Sequence, residues 1–295
     1  MQVQDYLTTE EAAAYLKLKE RKLYDLAASG EVPCSKVTGK WLFPRAALDR
    51  WIASGLAVPS GFSHATPPPI VGGSHDPLLE WVLRHSGSGL ALLSEGSSAG
   101  LGRLAAGEAA IAAIHLHGAG DDDANVSAVA ALPGLHDAVV VGFARREQGL
   151  VVAAGNPLGL DGLASAARLG ARFGARQAGA GARLLMDLQL ARADLSAERL
   201  SVHASMFATG HDLAVAVRLG EIDCGLATRA VAAANGLSFV PLAVERFDLA
   251  MRRRTYFEPG PQKVFAAMRT AEFASRATLF EGYDVSEAGA IRFNG

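Results

Sequence analysis

The chain has 295 residues, half of them hydrophobic and a fifth charged, which is enough for one large or two unequal packed domains and too apolar for general disorder. Its net charge of −2 provides no global attraction to nucleic acid, so a DNA-binding reading has to rest on local geometry. The first 20 residues lack the pattern of a secretory leader, no apolar run reaches the roughly 18 residues of a membrane span, and two distant single cysteines, Cys34 and Cys224, suit a reducing cytoplasm.

Thr8 and Thr9 ahead of Glu10, Glu11 and the run AAAYL predict a capped helix that ends near Leu16. KERKLYDLAASGEVP predicts a second helix with Leu23, Leu26 and Ala27 on one face, stopped by Gly30 and Pro33. CSKVTGKWLF alternates around a Thr-Gly turn and predicts a small hairpin. Pro44 then opens a third helix with Leu48, Trp51 and Ile52 facing inward. Helix, turn, helix, hairpin, helix is the order of a small winged helix-turn-helix domain.

These residues, about 6–52, resemble the DNA-binding module of excisionase and MerR-like regulators. The resemblance implies that the second helix enters the major groove, with Lys19, Arg21, Lys22 and Tyr24 towards DNA, and that Lys36, Lys40 and Arg45 meet phosphates. Residues 1–55 hold eight basic side chains against seven acidic ones, but the basic ones bunch at 17–22 and 36–45, where that helix and wing fall. One module makes few phosphate contacts, so useful affinity for double-stranded DNA implies a homodimer or higher homo-oligomer on paired half-sites.

SGLAVPSGFSHATPPPI, with its proline triplet, reads as a linker, and the expected division is a winged helix-turn-helix domain over 1–55, a linker over 56–69 and a larger domain over 70–295. In the larger domain strands and helices alternate, which predicts an α/β sheet. LAAGEAAIAAI and RLGEIDCGLA look like one helix, Gly-Glu turn, strand unit used twice, so two similar lobes with a cleft are expected, crossed by chain segments near 141–152 and 241–253.

The strand-to-helix loops share small and hydroxyl residues: Ser74 in GGSHD, Ser97 and Ser98 in EGSSAG, bare backbone in AGAG, and Thr209 with Gly210 in ATGH. Such loops bring main-chain N–H groups and a helix N-terminus close to a compact anion, although each hydroxyl also suits the plainer task of capping its own helix.

VGGSHDPLLEWVL, EGSSAGLGRLAAGEAAIAAIHL, ARQAGAGARLLMDLQL and TGHDLAVAVRLGEIDCGLA resemble the cytoplasmic periplasmic-binding-protein-like domain of molybdate-type sensors, over about residues 70–285. The resemblance implies a two-lobed type II solute-binding fold with molybdate or tungstate as ligand, and no other cofactor. It places Ser74 and either Ser97 or Ser98 on the oxyanion, with Ser98 preferred. Amide donors come from about Ala180 and from Gly210, and Thr228 stands where related proteins carry a tyrosine. The chain reads RQAGAGAR where related domains usually read RQxGSGTR. Arg183 is retained to neutralise an anion or bridge the lobes, while the two lost hydroxyls leave another oxyanion or a small organic acid open.

IHLHGAGDDD brings His115 and His117 to one strand end, which suits zinc, yet the sequence fixes no third ligand; a strand edge with an acidic loop is expected, no free metal cation, and His115 towards the bound ligand. EGSSAGL is no GxSxG elbow and the Gly-rich stretches lack a phosphate-loop lysine, so no enzyme is expected. The expected function is a cytoplasmic, ligand-responsive transcription regulator. The alternatives are an accessory protein of molybdenum-cofactor assembly that handles the oxyanion, or a regulator that senses a small organic acid.

Overall fold

A computed structural model describes residues 5–37, 39–55, 66–118 and 123–295. The chain divides into two compact units, Met1–Pro59 and Ser60–Gly295. Of the expected linker, residues 56–65 lie outside the described residues.

The first unit contains β1 (Tyr6–Leu7), α1 (Thr9–Leu16), α2 (Glu20–Ala28), β2 (Phe43–Pro44) and α3 (Arg45–Ser54). Helix α1 starts where the sequence asks: Thr8 caps it in a reciprocal box with Glu11, whose carboxylate accepts from the Thr8 N–H at 2.8 Å. Gly30, at φ 74°, closes α2. Leu7, Ala12, Ala13, Leu23, Ala27, Phe43 and Leu48 form the core. Ile52, expected inside, is exposed, because Leu48 and Trp51 already fill the inward face of α3. The wing keeps one bridged pair, Ser35 with Leu42, joined by two 2.8 Å backbone hydrogen bonds, and β2 runs on to pair with β1.

The second unit continues with β3 (Ile70–Gly73), α4 (Pro77–His85), β4 (Ala91–Ser94), α5 (Ser97–Ala106), β5 (Ile111–Ile114), α6 (Ala124–Ala130) and β6 (Ala138–Val152). Then come α7 (Leu163–Leu169), β7 (Arg172–Gly174), α8 (Gly181–Arg192), β8 (Ser201–Val202), α9 (Gly210–Arg218), β9 (Cys224–Thr228) and α10 (Arg229–Ala234). The chain closes with β10 (Ser238–Arg252), α11 (Arg253–Tyr256), α12 (Pro259–Met268), α13 (Ala271–Ala277), β11 (Tyr283–Asp284) and β12 (Ile291–Asn294). The sequence suggests one closing helix over 261–278; Thr270 caps a new one instead and splits it into α12 and α13.

One curled, mixed sheet holds both lobes together in the order β4-β3-β5-β10-β6-β9-β7-β8, with β11 and β12 also on β6. The two 15-residue strands β6 and β10 are the crossings. They pair antiparallel over most of their length, β10 also pairs β5 in lobe 1, and β6 also pairs β9 in lobe 2. LSFVPLAVERFDLAMRR, which the sequence suggests as more than one late strand, is this single strand, irregular at Pro241, where a residue without an N–H cannot keep the ladder.

Alternation along the strands builds a core on each face of each lobe. Ile111, Ala113, Val139 and Val141 pack with α4, α12 and α13, whereas Ala112, Ile114, Ala138 and Val140 pack on the opposite side with Leu101 and Leu104 of α5. In lobe 2, Leu150 and Val152 face α7 and α8, and Val151 faces α9. Helices therefore cover both sheet faces in both lobes, a two-lobed arrangement of the type II periplasmic-binding-protein kind.

Candidate functional site

In the first unit Lys19, Arg21, Lys22, Tyr24, Lys36 and Lys40 are all exposed. Lys19 is the N-cap position of α2, and Arg21 and Tyr24, three apart, share a helix face. Tyr24, Lys36 and Lys40 line one groove with Trp41 as its floor: the Tyr24 ring meets Trp41 edge-on at 6.4 Å, and the Lys36 ammonium lies 4.9 Å over it. Arg45 differs from the others. It is half-buried, with its guanidinium 5.0 Å over the Tyr15 ring, so stacking holds its flat face against the domain and only its N–H edge can meet a phosphate.

In the second unit the ends of β3, β5, β7 and β9 and the middle of β6 converge between the lobes on a polar cavity of about 30 Å³. A single water needs roughly 10–15 Å³ on this measure, so the space suits a ligand of a few heavy atoms.

From lobe 1 comes Ser74, placed by a left-handed Gly73 at φ 115°, where a side chain would stand 2.3 Å from the Ala113 carbonyl oxygen. Ser74 Oγ lies 2.8 Å from Ser97 Oγ, which also accepts from the His115 N–H at 3.0 Å. Ser97 is fully buried behind Ser74, while Ser98 is exposed. The preference for Ser98 is therefore corrected: the first residue of α5 points to the sheet, and the next is rotated away by about 100°.

From lobe 2 come Gly210, the first residue of α9, and Thr228, the last of β9. Thr228 Oγ1 accepts from Val231 N–H as the cap of α10, which leaves its own proton free to be donated. Arg176, just beyond β7, donates from Nε to the Phe207 carbonyl at 2.9 Å and from Nη2 to the Ala208 carbonyl at 2.7 Å. Its Nη1 stands beside Gly210 and has no acceptor among the described residues. Burial pulls this guanidinium down to about 10; Asp212 opposes the shift and Arg146 reinforces it.

Between the lobes stand Arg146 and Gln148 of β6, both buried. Arg146 donates from Nη1 to Asp76 and from Nε to Glu245, each at 2.6 Å, and its guanidinium lies 4.1 Å from the Phe247 ring centroid. Asp76 also caps α4 and accepts the Tyr283 hydroxyl. Burial works against the Glu245 carboxylate, but His115 and Arg146 overcome it and hold the group well below its usual range; burial and Asp76 push the Tyr283 phenol well above its own.

Glu245 is the hub of a second cluster. His115 Nδ1 and His117 Nε2 each lie 2.9 Å from its Oε2, while Oε1 accepts from Arg146 and, at 3.1 Å, from Gln148 Nε2. Burial, partly opposed by Glu245, takes His115 down to about 4, so the ring is neutral near pH 7. The sequence reading found no third group beside the two histidines; Glu245, 128 residues from His117, is that group.

Of the expected ligand residues, Ser74, His115, Gly210 and Thr228 line the cavity. Ala180 does not: its N–H is directed to the Gln177 carbonyl, and its backbone packs on Gly96. Ser98 N–H donates to the Gly179 carbonyl at 3.2 Å, so this loop joins lobe to lobe. Arg183 pairs with Asp187 one turn along α8, away from the cavity, and the arginine that lines the cavity from this loop is Arg176. Arg146, Gln148, Arg176 and Glu245 were missed. The signal for the first two is the charged interruption RREQ within an otherwise apolar strand.

Residues 80–269 match the PBP superfamily domain, and residues 6–55 match a helix-turn-helix domain. The uncharacterized protein YvgK of Bacillus subtilis (strain 168) is 22% identical over 300 residues, covering 96% of each chain. A putative phosphate ABC transporter substrate-binding protein from Clostridium perfringens, solved with phosphate, is similar at a TM-score of 0.52 and 13% identity, covering 71% of this chain and 96% of that one. PhnD1 from Prochlorococcus marinus (MIT 9301), solved with methylphosphonate, gives 0.50 and 11%, covering 76% and 94%. Among the described residues no helix is long and apolar enough to cross a membrane.

Proposed function

The chain belongs to the PBP superfamily and carries a helix-turn-helix domain, and on that premise we propose that it is a transcription regulator switched by a compact oxyanion, molybdate or tungstate first, in the cleft of its second unit. The observation that carries this reading is Arg176 Nη1, a half-buried cationic donor without an acceptor among the described residues. It sits beside the N-terminus of the nine-residue α9 and shares the cavity with the hydroxyls of Thr228 and Ser74. Ser74 comes from lobe 1 and Arg176, Gly210 and Thr228 from lobe 2, so an anion is fully ligated only when the lobes are together. A ligand shifts an equilibrium only by its differential affinity, and here that difference favours the closed form. Closure then alters the arrangement of paired DNA modules in a cytoplasmic homodimer. The phosphate and methylphosphonate held by the two solved relatives are anions of similar size.

A specific observation favours the small organic acid as a second reading. Gln148 Oε1 is buried without a hydrogen-bond partner among the described residues, and its Nε2 is committed to Glu245, which fixes the amide as an acceptor towards the cavity. A fully deprotonated oxyanion has nothing to donate there, whereas a hydroxy acid or a protonated oxyanion does. Calorimetric titration with molybdate, tungstate, sulfate, phosphate and lactate separates the readings. Saturable molybdate or tungstate binding with sulfate much weaker supports the first, phosphate alone keeps a compact oxyanion but replaces the metal oxyanions by a protonated one, lactate alone supports the second, and no heat with any of the five removes both.

A further inference from the structure

We propose that His115 Nδ1, His117 Nε2 and Glu245 Oε2 form a binding site for one divalent transition-metal cation of the zinc type. The site adjoins the anion cavity, which His115 also lines, and does not depend on the regulator reading.

The three ligand atoms lie within 4.8 Å of one another, and both imidazole nitrogens converge on one carboxylate oxygen at 2.9 Å. Atoms bound at about 2.0–2.2 Å to a shared ion stand roughly 3–3.6 Å apart, so small side-chain rotations open the group around a cation. Two imidazoles and one carboxylate form a borderline donor set, which favours zinc-like ions over the oxygen-seeking magnesium and calcium.

The surroundings are those of a held ligand set. Glu245 Oε1 is fixed by Arg146 Nε at 2.6 Å and Gln148 Nε2 at 3.1 Å, which aims Oε2 at the two rings; hydrogen bonds of this kind orient metal-bound carboxylates. Asp76 shares the charge of Arg146, so Glu245 is not its sole counterion. His115 and His117 are two apart at the end of β5, and Glu245 comes from the neighbouring strand β10. All three side chains are less than a tenth exposed. On the flank of the His115 ring stands Gly181 of lobe 2, where a side-chain carbon would lie 2.3 Å from Nδ1, so only glycine keeps that nitrogen open. A cation here would tie the end of β5 to the crossing strand β10 at the point where lobe 2 touches lobe 1.

The test uses the full chain, stripped with chelator and then titrated with Co²⁺ followed by Zn²⁺. One equivalent of Co²⁺ should give the intense visible absorption of a low-symmetry site with nitrogen ligands, and Zn²⁺ should displace it. His117→Ala should bind about 100-fold more weakly or not at all, while His211→Ala, on the exposed face of α9, should bind as the parent does. A weak, water-like Co²⁺ spectrum in the parent protein overturns the proposal whatever the variants do. Equal binding by a folded His117→Ala protein overturns it as well.

Discussion

Ser74 and Ser97, 23 residues apart, place their hydroxyl oxygens 2.8 Å from each other, and the backbone N–H of His115 completes the contact through Ser97. One serine borders the cavity and the other stands behind it, so Ser97 orients Ser74. Ser97→Ala leaves the His115 N–H without its acceptor, which costs about 1–3 kcal/mol of stability and releases Ser74 from its rotamer. The expected result is a lower midpoint in urea together with weaker ligand binding. Ser98→Ala removes only an exposed hydroxyl and should leave both unchanged. If the two variants exchange these outcomes, the placement of α5 is wrong.

Arg176 has no carboxylate within ion-pair distance among the described residues, so its charge is available to a ligand. Arg176→Met should reduce anion affinity by about 10- to 100-fold, the equivalent of one charged hydrogen bond. Arg176→Lys should recover only part of it, because one ammonium cannot reach the Phe207 and Ala208 carbonyls and the cavity together. Calorimetry on the two variants reads this directly, and full recovery with lysine would mean that charge alone matters.

Cys224 lies within β9, fully buried, and burial first and Asp223 second push its thiol up to about 12. The folded chain therefore keeps a proton that the unfolded chain loses near pH 9. The contribution to stability is complete below pH 9 and disappears as pH rises towards 12. At about pH 10.5 the loss is on the order of 2 kcal/mol. Urea melts of the parent and of Cys224→Ala at pH 8 and at this higher pH should differ by that amount in their change, with the variant less sensitive.

In the DNA-reading unit, Lys36 and Lys40 are exposed along one groove, whereas Arg45 is stacked on Tyr15. Lys36→Ala and Lys40→Ala should each lower the slope of log affinity against log salt by about 0.9 on duplex DNA. Arg45→Ala should change the slope less and lower the melting midpoint of the unit. Fluorescence anisotropy across a salt series measures the slope, and an unaltered slope in both lysine variants removes the wing from the interface.

What the sequence determined by itself is local. Thr8 with Glu11, Gly30, Pro33 and Pro44 mark ends and turns through backbone chemistry that acts over three or four residues, so the helix-turn-helix order is legible before any coordinates. The same holds for Ser74, Gly210 and Thr228, which stand at strand-to-helix junctions where small and hydroxyl residues advertise themselves.

The tertiary structure decided everything that depends on distance along the chain. Arg146 and Glu245 meet because β6 and β10 pair antiparallel in one register, and a slip of one residue would turn both to the other face. His117 finds Glu245 across 128 residues, and no spacing rule reaches that far. Ser97 and Ser98 are alike in sequence; the packing of α5 against β3 chooses between them. Arg183 and Arg176 both flank the same glycine loop, and only the fold turns one along its own helix and the other into the cleft. Capping and turn formation are short-range and residue-specific, whereas a site built across a sheet is set by register and packing, which no single stretch of sequence contains.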